Sequence, residues 1–89
     1  MNIIFTNHAK LEMKRRNIRE SIVTNVIKRA EQIISSKNNR VIFQDKFFDK
    51  DEKAEMILRV ICELHEPEII KVITVYKTSK IKKKYWIEG

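Results

Sequence analysis

The spacing of apolar residues changes at about Gln32, and this change constrains the fold more than any other feature of the sequence. A short apolar segment, Asn2–Phe5, opens the chain, and apolar side chains then recur every three or four residues, as on one face of a helix. After Gln32 they alternate with polar side chains, as on a strand. Helices followed by a run of strands predict an α+β fold, and 89 residues predict one domain spanning 1–89.

The segment before Gln32 predicts two helices. The first begins at Thr6 or Asn7, whose side chains can accept hydrogen bonds from the free N–H groups of a helix. It ends at Asn17, a residue that tolerates the left-handed conformation. The second runs from about Glu20 to Arg29. Each helix has one apolar stripe, so the two form a hairpin that needs a sheet to bury its apolar face.

The remainder of the chain predicts strands separated by polar turns. Strict alternation places Leu58 and Arg59 on opposite faces of the longest strand, and it places Thr74 and Tyr76 on the same face as Val72. The expected α+β fold packs the two-helix hairpin on a curled antiparallel sheet of four or five strands. The predicted strands are Gln32–Ser35, Arg40–Phe48, Glu55–Leu64 and Glu68–Lys77, with Tyr85–Ile87 as a further edge strand.

The chain is strongly basic, with 19 Lys and Arg against 12 Asp and Glu and a net charge of +7. An excess of this size favours a polyanionic partner over a neutral metabolite. Nucleic acid is the first candidate, an acidic protein the second and an anionic membrane surface the third. A role of the charge in solubility alone is the simpler alternative.

Several kinds of chemistry lack support in the sequence. The single cysteine, Cys62, has no disulfide partner and lies among aliphatic residues, which is typical of a reducing cytoplasm and unlike a reactive thiol. The two histidines do not form a metal-binding pattern with it, and no glycine-rich phosphate loop or serine elbow is present. No apolar run approaches the roughly 20 residues that span a membrane. We therefore expect no metal or other cofactor, and a cytoplasmic protein without membrane attachment.

His8 is the residue best suited to acid or base chemistry, because an imidazole can gain or lose a proton near neutral pH. Glu12, one turn later, could orient the imidazole. Arg16, Arg59 and Lys80 are cations that could hold a phosphate as it becomes five-coordinate. Each has a structural alternative, since His8 could simply cap a helix and Arg59 could face solvent.

The C-terminal part of the chain adds hydroxyl groups and an RNA-binding pattern. Thr74 and Tyr76 carry hydroxyls on a strand, although both are also common strand residues. The run that follows combines cations, which attract phosphates, with aromatic rings, on which bases can stack. A solvated charged face is the alternative for this run. Its residues are Lys80, Lys82, Lys83, Lys84, Tyr85 and Trp86.

The spacing H-A-x-x-x-M-x-x-R-x-I marks a resemblance to a known family. It is present at His8, Ala9, Met13, Arg16 and Ile18 and is followed by a helix, a strand hairpin and three further short motifs. With these, nearly the whole chain resembles the small prokaryotic family named domain of unknown function 4258. The further motifs are Leu58–Val60, Val72–Tyr76, and Thr78–Lys80 with Tyr85 and Trp86.

The resemblance implies a fold and an activity, because that family has been grouped with the barnase/EndoU/colicin/RelE assemblage of metal-independent ribonucleases and toxins. It implies a RelE- or barnase-like fold and an RNA-cleaving toxin whose site residues are His8, Arg59, Thr74 and Tyr76. The family often has Arg where this chain has Glu12, so one phosphate-binding cation is missing.

Two functional hypotheses follow. In the first, the protein is an endoribonuclease-like toxin in which the RNA 2′-hydroxyl attacks the adjacent phosphate, with His8 as acid or base. In the second, it is a basic module that binds RNA or a partner without turnover. An acidic antitoxin protein that fills the basic groove is the expected protein partner.

Overall fold

The structure, a computed structural model, describes residues 2–80 and 86–87. Within them two helices pack on an open five-stranded sheet in the order β1-β5-β4-β3-β2. Neither of these helices has the length and hydrophobicity that a membrane-spanning helix needs. The predicted α+β class is confirmed. The elements are β1 (Asn2–Phe5), α1 (Asn7–Arg15), α2 (Glu20–Arg29), β2 (Gln32–Ser35), β3 (Arg40–Asp49), β4 (Ala54–His65) and β5 (Ile69–Thr78).

The sheet is mixed, so the prediction of an all-antiparallel sheet was wrong. Strands β2 to β5 are antiparallel neighbours, but β1 pairs in parallel with β5, from Asn2 opposite Ile69 to Phe5 opposite Val72. The outer edge of β5 is therefore occupied by the N-terminal segment. Trp86 and Ile87 are not in a strand, and Tyr85 lies outside the described residues.

The ends of α1 follow from its sequence. Thr6 caps the first turn, since its hydroxyl oxygen accepts a hydrogen bond from the Ala9 N–H at 3.0 Å. At the other end, Asn17 has a φ of 55°, and the N–H of Ile18 donates to the Met13 carbonyl at 2.8 Å. Ile18 and Met13 are both buried in the core. The predicted stop at Asn17 is confirmed.

The core lies between the helices and one face of the sheet. Helix α1 packs on β5, and α2 packs on β3 and β4. Their buried side chains, among them Met13 and Val26, meet Leu58, Val60 and Val75 from the sheet. The next residues along β4 project to the opposite face, which the helices do not cover. We call it the open face.

A bulge in β5 changes which side chains reach the open face. Cys62 pairs with Val72 but Ile61 pairs with Thr74, so Ile73 is an extra residue in the strand. After the bulge Val75 joins Val72 in the core, and Tyr76 lies opposite Arg59 on the open face. The prediction that Thr74 and Tyr76 share a face with Val72 was wrong, because strict alternation does not allow for an inserted residue.

Candidate functional site

A row of polar side chains crosses the open face from β2 to β5. Arg59 donates from Nε to the Gln44 amide oxygen at 3.0 Å and from Nη1 to the Tyr76 hydroxyl at 2.7 Å. Gln44 in turn donates to the Gln32 amide oxygen at 2.7 Å. Gln44 and Arg59 are buried, so these hydrogen bonds satisfy groups that would be costly to desolvate alone.

The far end of this polar row contacts the C-terminal segment. Gln32 donates from its amide to the Ile87 carbonyl at 2.6 Å and accepts from the Ile87 N–H at 3.2 Å. Close by, the Lys46 ammonium group lies 4.4 Å from the centre of the Trp86 ring, within the range of a cation–π contact. Trp86 is therefore half-buried against the sheet rather than an isolated surface ring.

The predicted catalytic residues fall into two groups. Arg59 and Tyr76 are hydrogen-bonded, and Thr74 is half-buried on the same open face. His8 is exposed on the first turn of α1 and makes no hydrogen bond or ion pair within the described part of the chain. The role of His8 as acid or base stays a prediction.

The turn of α1 that carries His8 is nevertheless attached beside the bulge. The Thr6 N–H donates to the Val72 carbonyl at 3.1 Å, and the Thr6 hydroxyl donates to the Ile73 carbonyl at 3.2 Å. One threonine thus caps α1 and binds the strand just before Thr74. This holds the start of the helix in a fixed position relative to the bulged residue.

Glu12 does not orient His8, and that prediction was wrong. Its carboxylate is almost buried and accepts hydrogen bonds from Arg15 at 3.0 Å and Arg16 at 3.3 Å, one on each oxygen. The two arginines outcompete an imidazole because each brings a full positive charge at helical spacing. Arg16, predicted to bind RNA, stays 42% exposed at its side chain.

The predicted RNA-binding residues of the C-terminal run are only partly described. Lys80 is exposed, and its backbone N–H donates to the Thr78 hydroxyl at 3.1 Å. Trp86 has the contact with Lys46 given above. The others, Lys82, Lys83, Lys84 and Tyr85, lie outside the described residues.

Sequence reasoning missed the two glutamines of the polar row and the partner of Lys77. The available signal was the position of Gln44, which places a polar side-chain amide in the middle of an apolar strand.

Lys77 lies on the helix side of the sheet, where its ammonium group is 2.7 Å from the Asp49 carboxylate. The hydrogen bond from Lys77, helped by the backbone N–H groups of Glu52 and Asp51, lowers the pKa of Asp49.

Two further observations bear on the chemistry of the chain. Burial raises the pKa of the Cys62 thiol to about 12, so this side chain stays protonated and is a poor nucleophile. Among the described residues, no group of three or more His, Cys, Asp or Glu side chains could hold a metal ion.

Comparison with known proteins assigns the chain to a family. The model of the family described as "Domain of unknown function (DUF4258)" matches residues 5–77. The chain belongs to this family. The DUF4258 match includes His8, Arg59, Thr74 and Tyr76 and ends before Lys80. No curated protein and no solved structure matches the chain.

Proposed function

We propose that this protein binds RNA through the exposed side of its first helix and the corner that follows. The observation that carries the proposal is the sign of the exposed charges there. Every exposed charge from Asn7 to Arg19 is positive, and the one carboxylate, Glu12, is buried between two arginines. We call this set the α1 basic surface. It consists of Lys10, Lys14, Arg15, Arg16 and Arg19.

The arrangement of these cations costs helix stability. Lys10 and Lys14 are four residues apart on α1, and like charges at that spacing destabilise a helix by about 0.2–0.5 kcal/mol. Neither ammonium group has a carboxylate partner in the described part of the chain. A phosphate backbone would relieve this repulsion, which is why we favour a polyanion as the ligand.

The salt dependence of RNA binding tests the proposal. For single-stranded RNA the slope of log K against log salt falls by about 0.7 for each phosphate contact removed. We expect Lys10→Gln with Lys14→Gln to lower the slope by about 1.4. The matched control is Lys37→Gln with Lys50→Gln, which removes the same charge from exposed turn residues and leaves the slope unchanged. The proposal would be contradicted if the test and control double variants had equal slopes, or if RNA binding did not depend on salt.

RNA cleavage is the second candidate, and the attachment of α1 beside the bulge favours it. Thr6 joins the turn that carries His8 to the strand that carries Thr74 and Tyr76. In this reaction His8 takes the proton of the 2′-hydroxyl, and the 2′-oxygen bonds to phosphorus. Arg59 and Lys80 stabilise the added charge, and the bond to the 5′-oxygen breaks as Tyr76 protonates it. The products are a 2′,3′-cyclic phosphate and a 5′-hydroxyl.

Incubation with RNA in EDTA tests cleavage separately from binding. If the second candidate holds, fragments form with the wild type and disappear with His8→Ala, whereas the affinity for RNA changes little. Intact RNA across several substrates, ribosome-bound message included, would leave the binding function alone. The toxin assignment would then fail as well.

An acidic antitoxin is the protein partner that the same surface would suit. Charge complementarity is its only support, since an acidic segment could cover the α1 basic surface as RNA does. A neighbouring reading frame that encodes a short acidic protein, whose product displaces RNA from the wild type, would support it. A product that binds the Lys10→Gln, Lys14→Gln variant equally well would contradict it.

A further inference from the structure

A cleft of about 410 Å³ lies where the α1–α2 corner and α2 meet the helix side of the sheet. Its volume falls in the range of small-molecule sites. Ile22 and Val26 of α2 form one wall, and Phe47 and Leu58 lie on the sheet side. Phe47 is only half-buried and Ile22 is 45% exposed, so apolar surface remains open here.

Two asparagines supply polar groups at the edge of this cleft. Asn17 closes α1 in the left-handed conformation, and Asn25 lies on α2. Both are exposed, and neither carboxamide hydrogen-bonds to the part of the chain that the structure describes. Each therefore offers one acceptor and two donors to a ligand.

The positive charge near the cleft lies at its corner end. Arg16 and Arg19 of the α1 basic surface flank the corner in sequence. Of the charged groups along the cleft, Lys77 is paired with Asp49, and the Asp45 carboxylate accepts a hydrogen bond from the Glu31 N–H at 2.6 Å. The ammonium group of Lys46 lies on the open face against Trp86. A phosphate is therefore favoured at the corner, where the cleft meets the α1 basic surface.

We propose that this cleft binds one unpaired nucleotide of RNA. The base lies against Phe47 and the aliphatic wall, and its edge meets the Asn17 and Asn25 carboxamides. Its phosphate faces Arg16 and Arg19 at the corner. Aromatic stacking combined with edge recognition is how proteins read single-stranded RNA. Adenine is the preferred base, because a carboxamide matches its donor and acceptor pair. This inference rests on the proposed RNA binding and adds a preference for single strands.

The experiment compares single-stranded oligoadenylate with duplex RNA of equal length. The test variant, Asn17→Gly with Asn25→Ala, removes both carboxamides while glycine keeps the positive φ. The control, Asn38→Gly with Asn2→Ala, makes the same changes outside the cleft, and Asn38 also has a positive φ of 61°. We expect the test variant to bind oligoadenylate about 10-fold more weakly and duplex RNA within about twofold of the wild type. The control should bind both as the wild type does.

A second readout uses the wild type alone. Titration with adenosine 5′-monophosphate should shift the side-chain NH₂ resonances of Asn17 and Asn25 in NMR spectra and leave those of Gln32 and Gln44 in place. Shifts confined to the glutamines, or equal oligoadenylate affinity in test and control variants, would overturn the nucleotide site while RNA binding stands. A wild type that binds no RNA would overturn both.

Discussion

Arg59 illustrates how a charged residue can be buried on a strand. Its guanidinium is buried, with Gln44 on one side and Tyr76 on the other. Burial of a charge is tolerated only where its donors are satisfied. The polar row therefore holds the Tyr76 hydroxyl in place.

Cys62 is expected to be unreactive in the folded protein. Because burial raises the pKa of its thiol to about 12, almost no thiolate exists at pH 8. A thiol reagent such as Ellman's reagent should label the native protein far more slowly than the same chain in denaturant. Rapid labelling of the native protein would show that β4 is more open than described.

Asp49 should make stability depend on acid pH. Its pKa is lowered by the Lys77 hydrogen bond from an ordinary value of 3.8, so the folded state binds its proton less tightly than the unfolded state. The resulting stabilisation is complete well above pH 3.8 and is lost as the pH falls through the lowered pKa. Urea denaturation should therefore find Asp49→Asn less stable than wild type at pH 7, with the difference shrinking below about pH 4. A constant difference would contradict this assignment.

At the scale of elements, the two helices differ at the N-cap, the residue that immediately precedes the first turn. Thr6 caps α1 with its hydroxyl, whereas Arg19 occupies the same position in α2 without a side-chain hydrogen bond. Its φ of −80° and ψ of 149° are suitable for a capping residue. The defect lies in the side chain and not in the backbone.

Arg19→Ser should stabilise the protein by about 1 kcal/mol, because a serine hydroxyl can accept a hydrogen bond from the first turn of α2. Removal of a positive charge from the helix N-terminus adds to the effect. Thermal or urea denaturation measures it. The matched control is Arg29→Ser at the end of α2, where a cation is favourable, so no gain is expected. Stabilisation by both changes would point to net charge as the cause.

At the scale of the whole molecule, the net charge of +7 is unevenly arranged. On the α1 basic surface Arg15 and Arg16 share the single carboxylate of Glu12, and Lys10 and Lys14 have no acidic partner among the described residues. Near the β3–β4 turn, by contrast, Lys77 is neutralised by Asp49. Where cations have no carboxylate partner, their mutual repulsion reduces the stability of the folded protein, and the same surface attracts polyanions more strongly. We therefore expect stability and RNA affinity to respond in opposite directions to substitution on this surface.

Lys10→Glu tests this opposition. The carboxylate would pair with Lys14 one turn later and face the positive N-terminal half of α1, so we expect a gain of about 0.5 kcal/mol in unfolding free energy. RNA affinity should fall. Lys50→Glu makes the same charge change on an exposed turn residue and should affect affinity less. A variant that loses both stability and affinity would indicate that Lys10 has a structural role.

The sequence alone determined the local features of this protein. The apolar periods defined both helices and the four strands from Gln32 to Thr78 within a few residues. Thr6 and Asn17 specified the ends of α1, and three non-glycine turn residues with positive φ were consistent with the predicted turns. These features depend on residues that are close in sequence, because the side chain of each residue influences the conformation and hydrogen bonds of the backbone near it.

Only the tertiary structure decided which distant groups meet. The parallel pairing of β1, the inserted residue Ile73 and the contact between Gln44 and Arg59 all depend on strand register. Register comes from packing of the whole core, because one inserted residue turns every later side chain to the other face. For that reason Tyr76 meets Arg59 and Lys77 meets Asp49, which strict alternation along β5 does not predict.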